Sequence, residues 1–538
     1  MSSASLTASG LADPPGSAPR AERSVAAFAP VLSAGAVAAV LAVVVLLSPP
    51  TGTDLAAQVA RADFWSGFGA ATYDLRWYGG VHPGAYSVLA PPLMATIGVR
   101  LAGALAAVAG AMALAALLVR AGAPRPRFGA AWGAVALVAN LVSGRVTFGL
   151  GTAVGLAALL ALPRRFPAAT SRVLAAGLLA AVTTLLSPVA GLFVGLAGLA
   201  LAGTGRRREG AALVIGAAVP LLAVQAAFPD GGLMPFAWRV AWPAMLAGLV
   251  VALLVPRSGR AVRLGALLYA AGVLAAFLLP TALGSNAERL GLLFAGPVLA
   301  ATARWPRLVL VPVLALTAYW QAMPARTDLR YADDPASHSS YSAGLVAELH
   351  RVHAETGRVE IVPQRNHWES ATVAREFPLA RGWERQVDLA RNPLFYAGRL
   401  SPAAYRSWLA DRAVGYVALA DVRLDWAAPA EAALLDAGQP WLEPVWNDAH
   451  WRLWRVRDAT PLVAAPARVT AAGADSLSID VPTAGSVRVL VRWSPWLTVR
   501  EAAGCLRRDG SWVRLETRAP GVYRIGAGSR PHLGGGCR

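Results

Sequence analysis

Lysine is absent from this chain, cysteine occurs only twice, and charged residues make up 15% of its 538 positions. All 49 basic residues are therefore Arg, against 31 acidic ones, giving a formal net charge of +18. A missing Lys beside abundant Ala and Gly marks a compositional bias, so where the Arg residues sit says more than how many there are. No Arg-rich stretch is interleaved with exposed aromatics for stacking on bases, and long apolar runs intervene, which argues against nucleic acid as a partner. The low charge and 56% hydrophobic content exclude a disordered chain and argue against an ordinary cytosolic enzyme. The two cysteines, Cys505 and Cys537, both lie in the last quarter of the chain; a disulfide there and two separate thiols are both open.

What the chain does have is long apolar runs. Crossing a bilayer takes about 20 apolar residues, and candidate spans fall near 25–48, 92–119, 128–143, 147–162, 173–186, 188–203, 211–227, 240–256, 264–280, 290–302 and 308–322. The first follows a Ser/Ala/Pro-rich start with Arg20 and Arg23 and reads as an anchor helix, a cleaved signal peptide being the alternative. The expected architecture is a polytopic α-helical membrane bundle of about 11 spans. It comprises a cytoplasmic tail 1–24 and a bundle 25–322 with a long first outer loop 49–92. An extracytoplasmic α/β domain 323–466 and a β-sandwich-like region 467–538 follow.

Orientation follows from the loops, because Arg collects on the cytoplasmic side. With the N-terminus inside, sixteen Arg residues of the bundle fall on inner segments and six on outer ones. An odd number of spans then places everything after about Met323 outside the cytoplasm. The carboxylates sort the same way. Between Pro49 and Gly291, only Glu209 lies on the inner face, whereas Asp54, Asp63, Asp74, Asp230 and Glu288 lie on the outer one.

The first outer loop opens with a segment of helical spacing over 54–65 that is suited to lie along the membrane surface. Its second part is a Gly- and Pro-punctuated stretch; loops of this length in a compact bundle are usually functional. After Met323 the apolar runs shorten to strand length. Strands are expected at 359–362, 414–419, 451–456, 476–481, 487–493, 512–517 and 521–525, with helices near 342–356 and 402–412.

Several outer residues are candidates for chemistry. Asp54 follows the first span, where a carboxylate can serve as a base or metal ligand, or where it or Thr53 can cap the helix that follows. Asp74 is a second candidate, unless it only pairs with Arg76. Arg145, Arg239 and Arg289 run against the topological bias. Guanidinium groups at headgroup level suit phosphate, binding its oxygens in pairs; the alternatives are interfacial anchoring or, for Arg289, a pair with Glu288. His82 is the only His before the outer domain and can hydrogen-bond a phosphate or substrate, or be structural. His350 and His353 share a helical face but lack an acidic third ligand, which argues against zinc.

Asp54, Trp77-Tyr-Gly-Gly80, Tyr86-Ser-Val-Leu-Ala-Pro-Pro-Leu93 and Gly284-Ser-Asn-Ala-Glu-Arg-Leu290 carry a resemblance, as do Phe377–Gln386 and Asn392–Tyr396. With the multi-span bundle and outer C-terminal domain, the chain resembles the GT-C superfamily of integral membrane glycosyltransferases, in particular multi-span proteins of actinobacteria. The resemblance implies an inverting transfer from a polyprenyl-phosphate sugar to an envelope glycan or lipid acceptor at the extracytoplasmic face. Asp54 carries over as the base, with Asp74 as alternative; Arg145, Arg239, Arg289 and His82 would hold the donor phosphate. Arg76, Trp77, Tyr78, Tyr86, Arg381, Trp383 and Glu384 would contact substrate, aromatic faces suiting sugar rings, although most Trp residues are also natural core. Many members carry two adjacent carboxylates where this chain has Asp54 followed by Leu55, so a divalent cation is an open expectation. A transporter or lipid flippase has similar hydropathy, but the spans carry almost no mid-membrane charge for coupling. A non-catalytic envelope scaffold is a third reading.

Overall fold

The computed structural model describes residues 20–163, 169–500, 503–532 and 537. Most of the expected N-terminal tail, and Arg164 and Arg165 of an expected inner loop, lie outside the described residues.

Helices form where the apolar runs are. They are α1 (Arg20–Leu47), α2 (Leu55–Phe68), α3 (Pro83–Tyr86), α4 (Ala90–Ile97), α5 (Val99–Arg120), α6 (Pro126–Val142) and α7 (Val146–Ala161). There follow α8 (Thr170–Leu186), α9 (Pro188–Gly203), α10 (Arg207–Ala227), α11 (Trp238–Leu254), α12 (Arg260–Leu278), α13 (Glu288–Thr302) and α14 (Arg307–Leu329). Each expected span falls on one of these except that at 92–119, which falls on two. Five, α1 from Phe28, α5, α10, α12 and α14, are long and apolar enough to cross a membrane. α6, α7, α8, α9 and α11 are shorter apolar helices. Large apolar side chains point outward along them, among them Leu47, Leu178, Leu222 and Leu308, the last 91% exposed. Such a surface is stable against lipid and costly against water, so the chain is a multi-pass membrane protein. Small residues let the helices approach closely: a methyl group on Gly210 of α10 would meet the Gly198 carbonyl of α9 at 2.4 Å.

The expected span at 92–119 is two helices. Gly98, with φ +88°, stands between α4 and α5 and breaks the helical path, leaving α4 as a short outer element.

Beyond α14 come α15 (Ser339–Arg351), β1 (Arg358–Ile361), α16 (Glu369–Thr372), α17 (Arg385–Arg391) and α18 (Pro402–Asp411). β2 (Val414–Ala420), α19 (Pro429–Asp436), β3 (Leu442–Asn447) and β4 (Trp451–Val456) complete this unit. Its sheet has the order β1-β2-β4-β3, with β1 parallel to β2 and the rest antiparallel. Side chains alternate across it: Ala418, Ala420, Trp451 and Leu453 face one core, Val417, Leu419, Trp454 and Val456 the other.

The last part is a sandwich of β5 (Arg468–Ala472), β6 (Ser476–Val481), β7 (Gly485–Arg492), β8 (Leu497–Arg500), β9 (Gly504–Asp509), β10 (Trp512–Thr517) and β11 (Gly521–Ala527). One sheet is β7-β10-β9 and the other β5-β6-β11-β8. Ile479, Val489, Val513, Leu515 and Ile525 are fully buried between them. Cys505 of β9 is disulfide-bonded to Cys537, which decides between the two open readings.

The first outer loop is not a free loop over the membrane. Tyr73 and Leu75 insert into the sandwich core, while Trp77, Tyr78 and the α2 residues Leu55, Ala56 and Ala60 belong to the core under the α/β sheet. Burial of Leu55, Ala57, Gln58, Arg61 and Phe64 leaves α2 covered by the outer unit rather than lying bare on a membrane surface. The reason is its low amphipathicity: Ala56, Ala57, Ala60 and Ala62 are small and lie on different sides of the helix, so it packs on several of them.

Candidate functional site

Two glycines fix where the first carboxylate sits. Gly52 has φ +91°, and a methyl group on it would meet the Ser143 carbonyl carbon at 2.2 Å. Gly144, with φ +70°, faces it reciprocally, its would-be methyl lying 2.6 Å from the Leu55 nitrogen. Thr51 Oγ1 donates to the Val142 carbonyl at 2.8 Å. The start of α2 and the α6–α7 turn are thus interlocked, which brings Asp54 beside Arg145 although 91 positions separate their segments in sequence.

Asp54 stands at the N-cap of α2 but makes no side-chain capping bond. Its Oδ2 lies 3.3 Å from Arg289 Nη2 and 3.7 Å from Arg145 Nε. Arg289 is contributed by the first turn of α13, and its guanidinium stands over the Phe148 ring of α7. One half-buried carboxylate thus faces two guanidiniums. A phosphate presents the same charge in the same place, so the arrangement can accept one.

The outer unit holds this site from above. Trp383 donates its indole N–H to the Thr53 carbonyl at 2.6 Å, next to Asp54. The indole is stacked on His367 at 3.4 Å between ring centres, with Arg385 beside it. His367 lies between Glu369 (3.2 Å) and Asp425 (3.4 Å), and Asp425 also pairs with Arg385 at 2.6 Å. Burial alone would lower the His367 pKa, but the hydrogen bonds and charges of Asp425 and Glu369 raise it above the ordinary value. Burial raises Asp425, yet His367 and Arg385 together hold it well below the usual carboxylate range. His367 also has φ +57°, an uncommon conformation for a residue with a side chain.

Along α2, Asp54, Gln58 and Arg61 recur at helical spacing and share a face. Gln58 Nε2 donates to the Tyr86 hydroxyl, Arg61 stacks on the Tyr86 ring at 3.7 Å, and Arg61 pairs with Glu384 at 2.9 Å. Tyr86, Glu384 and Trp383 therefore adjoin Asp54, Arg145 and Arg289.

The other candidates lie elsewhere. Asp74 and Arg76 form a buried ion pair at 2.8 Å, and Arg76 also donates to the Ala60 carbonyl. Trp77 is buried and donates to the Ser370 carbonyl; Tyr78, also buried, donates to the Gly382 carbonyl. Arg381 is buried between Glu360 (3.1 Å) and Glu431 (3.4 Å), whose carboxyls burial pushes upward. Arg239 is exposed near the start of α11 and shares no ion pair with Asp54. His82 is buried, with Nδ1 2.6 Å from Asp230 and Nε2 2.8 Å from the Ser494 hydroxyl, and so ties the first outer loop to the α10–α11 connection and the sandwich. His350 contacts Glu376 and His353 contacts Glu355, both on the surface. Among the described residues no group of three or more His, Cys, Asp or Glu side chains could hold a metal ion. Sequence reasoning missed His367, Gln58 and Arg61; helical spacing from Asp54 was the available signal for the last two.

A cavity of about 600 Å³ lies within the bundle between α5, α7, α9, α11, α12 and α13. Its walls are almost wholly apolar, Leu290 and Phe294 among them, with Arg120 and Arg206 also lining it. Arg145, Phe148 and Arg289 line a separate cavity of about 20 Å³.

A family model described as a domain of unknown function (DUF8823) matches residues 464–506, from before β5 into β9. No curated protein matches the chain. Among solved structures, arabinofuranosyltransferase AftD from Mycobacteria is similar with a TM-score of 0.43 and 18% identity, over 85% of this chain and 41% of that one. ArnT from Cupriavidus metallidurans in the apo state is similar with a TM-score of 0.41 and 14% identity, over 80% and 98%. ArnT bound to undecaprenyl phosphate gives 0.38 and 13%, over 81% and 98%. The chain thus spans less than half the length of AftD.

Proposed function

We propose that the chain is a membrane glycosyltransferase of the GT-C type, moving a sugar from a polyprenyl-phosphate donor to an envelope glycan or lipid acceptor at the extracytoplasmic face. The observation that carries this reading is the uncapped Asp54 carboxylate held against both Arg145 and Arg289. In this account about eleven helices cross the bilayer, the N-terminus is cytoplasmic, and the outer α/β and sandwich units are extracytoplasmic.

The donor's polyprenyl chain occupies the cavity and its phosphate enters between Arg145 and Arg289. That phosphate takes over the guanidiniums' hydrogen bonds, which releases Asp54 from its two ion pairs. Asp54 then removes the proton from an acceptor hydroxyl as that oxygen attacks the anomeric carbon. The bond from the anomeric carbon to the phosphate oxygen breaks, its electron pair leaves with the lipid phosphate, and the arginines stabilise the growing charge. A single displacement of this kind inverts the anomeric centre. Tyr86 and Glu384, which adjoin Asp54, hold the sugar, and Trp383 fixes Asp54 through the Thr53 carbonyl. Arg381, Trp77 and Tyr78 act by fixing the outer unit, and Asp74 with Arg76 by fixing the loop. No step is routed through a divalent cation; the two groups ion-paired to Asp54 are both guanidiniums.

The test is chemical. Full-length protein purified in detergent, where no compartments exist, is given polyprenyl-phosphate sugars and acceptor fragments, and elongated glycan and free lipid phosphate are read by mass spectrometry. General-base assistance is worth about 10²–10⁴ in rate, so Asp54→Asn should lose that much turnover while keeping its fold. No product from a broad donor panel, together with solute or lipid movement in vesicles, would replace this reading with a transporter.

A further inference from the structure

The largest imbalance of charge outside the Asp54 site lies where the first outer loop, the α/β unit and the sandwich meet. Four guanidiniums gather there from separate elements: Arg358 at the start of β1, Arg391 at the end of α17, Arg412 just after α18 and Arg492 at the end of β7. Among the described residues one carboxylate is ion-paired to any of them: Asp230, 2.6 Å from Arg391 Nη2 and already shared with His82.

Their remaining bonds go to neutral oxygens. Arg358 donates to the carbonyls of Arg412 and Leu490, Arg391 to that of Gly80, Arg412 to Asn392 Oδ1 and the Arg391 carbonyl, and Arg492 to the Tyr78 carbonyl. These bonds staple the Tyr78–Gly80 turn to the outer unit, but they bring no negative charge. Nitrogens are left over. Among the described residues Arg358 Nε, buried in a residue only 3% exposed, has no hydrogen-bond partner. Among the same residues neither terminal nitrogen of Arg492 has an acceptor, nor does Nη1 of Arg412.

Four guanidiniums with one carboxylate in direct ion-pair contact, and Asp411, Glu360 and Asp388 acting on Arg412 only from further off, leave positive charge at this depth that an anion would compensate. The strain registers on the groups themselves. Burial brings Arg358 and Arg412 down to about 10, against the opposing pull of Tyr73 on the first and of Asp411, Glu360 and Asp388 on the second, and burial together with Arg391, Arg412 and Arg358 brings Arg492 to about 9. Aromatic rings hold the heads in place: Arg492 stands over Trp512, Arg412 over Trp408 and Arg391 over Tyr78. Arg391, Arg412 and Arg492 are half-buried and so remain within reach of solvent.

We propose that Arg358, Arg391, Arg412 and Arg492 form a phosphate-binding site at this junction, separate from the Asp54 site. A phosphate suits it better than a single carboxylate. Several unused N–H donors from different arginines meet there, and a phosphate offers more oxygens and more charge to receive them. The ligand is a phosphate group borne either by a lipid headgroup or by a soluble or glycan-linked phosphate. Nothing in the inference depends on glycosyl transfer.

The experiment maps arginine reactivity in the full chain. Detergent-purified protein is treated with phenylglyoxal in inorganic phosphate or in chloride at equal ionic strength, and each arginine's modification is followed by peptide mass spectrometry. Phosphate should slow modification of Arg412 and Arg492 about fivefold or more, as saturating occupancy would, while leaving the exposed Arg239 unchanged. Arg412→Gln should weaken the protection of Arg492, and Arg492→Gln that of Arg412. Vesicles of phosphatidylglycerol without free phosphate form a second arm: protection there identifies a headgroup, and protection by free phosphate alone identifies a soluble or glycan-linked source. If neither arm protects Arg412 and Arg492, or if Arg239 is protected equally, the site does not exist. Protection at Arg145 and Arg289 is read in the same digest, so failure there is distinguishable from failure here.

Discussion

Replacing Trp383 with Phe removes the indole N–H, together with two ring carbons, from the site's scaffold while keeping an aromatic ring. The ring can still stack on His367, which now lies 3.4 Å from the indole, but the Thr53 carbonyl loses a donor that stands 2.6 Å away. Leaving a shielded carbonyl unpaired costs about 1–3 kcal/mol. Thr53 immediately precedes Asp54, so in the proposed mechanism that cost falls on the placement of the base rather than on donor binding. At ~1.4 kcal/mol per factor of ten, kcat should fall about 5- to 100-fold, with KM for the lipid donor nearly unchanged. The assay is steady-state transfer in detergent, with Asp54→Asn as the floor and Trp426→Phe, a change at an exposed Trp, as the control. An unchanged kcat for Trp383→Phe, or an equal loss for Trp426→Phe, would refute the idea that the outer unit positions Asp54.

The His367–Asp425 pair makes a pH prediction. Asp425 is held low, so its contribution is present above its unfolded value of about 4 and is lost as pH falls; His367 is raised, so its contribution is present below about 6.5 and is lost as pH climbs through its higher folded value. Thermal unfolding midpoints should therefore peak between about pH 4 and 7, with Asp425→Asn flattening the acid limb and His367→Gln the alkaline one; identical profiles for wild type and both variants would contradict this. Arg381→Leu leaves Glu360 and Glu431 buried without their cation and should destabilise the outer unit by about 3–5 kcal/mol, less at low pH, where both acids protonate. A normal unfolding midpoint with weakened acceptor affinity would instead make Arg381 a binding residue. Because both native cysteines are bonded to each other, Ser340→Cys supplies a single free thiol on an exposed position, and it should react with an impermeant maleimide in intact cells. Labelling only after lysis would reverse the proposed topology.

How much of this was legible in the sequence depends on distance along the chain. Apolar runs marked α1 and the helices from α5 to α14, because span length is a local property, helical spacing marked α2, and alternation marked β2, β4, β6 and β10, while α3 fell in a stretch read as loop. The local rule failed at Gly98, where one positive φ splits an apolar run that hydropathy reads as continuous. β3, β5, β8 and β9 were not expected: register shifts interrupt β3 at Pro444 and Trp446 and β5 at Val469 and Ala471, β8 is four residues long, and β9 runs into the charged Arg507, Arg508 and Asp509. At the site, Asp54, Arg145 and Arg289 stood out singly, as outer charges that needed a reason. Their convergence did not, since it depends on the reciprocal contact of Gly52 with Ser143 and Gly144 with Leu55. Trp383 was expected to meet sugar, yet its N–H is committed to Thr53. The backing of that tryptophan by His367 joins residues that no local pattern connects. Arg381 and Trp77 look like surface chemistry in a charged segment, and only tertiary burial shows where their polar atoms are engaged.

The central claim is that Arg145 and Arg289 receive a lipid phosphate beside Asp54. It is tested most directly by an experimental density map of the full chain purified with a polyprenyl phosphate. The account predicts phosphate density within hydrogen-bonding distance, about 2.7–3.2 Å, of both guanidiniums, with the Asp54 carboxylate released from them and the isoprenoid chain filling the cavity beside Leu290 and Phe294. A map in which the Asp54 ion pairs persist and the lipid phosphate lies elsewhere would contradict it.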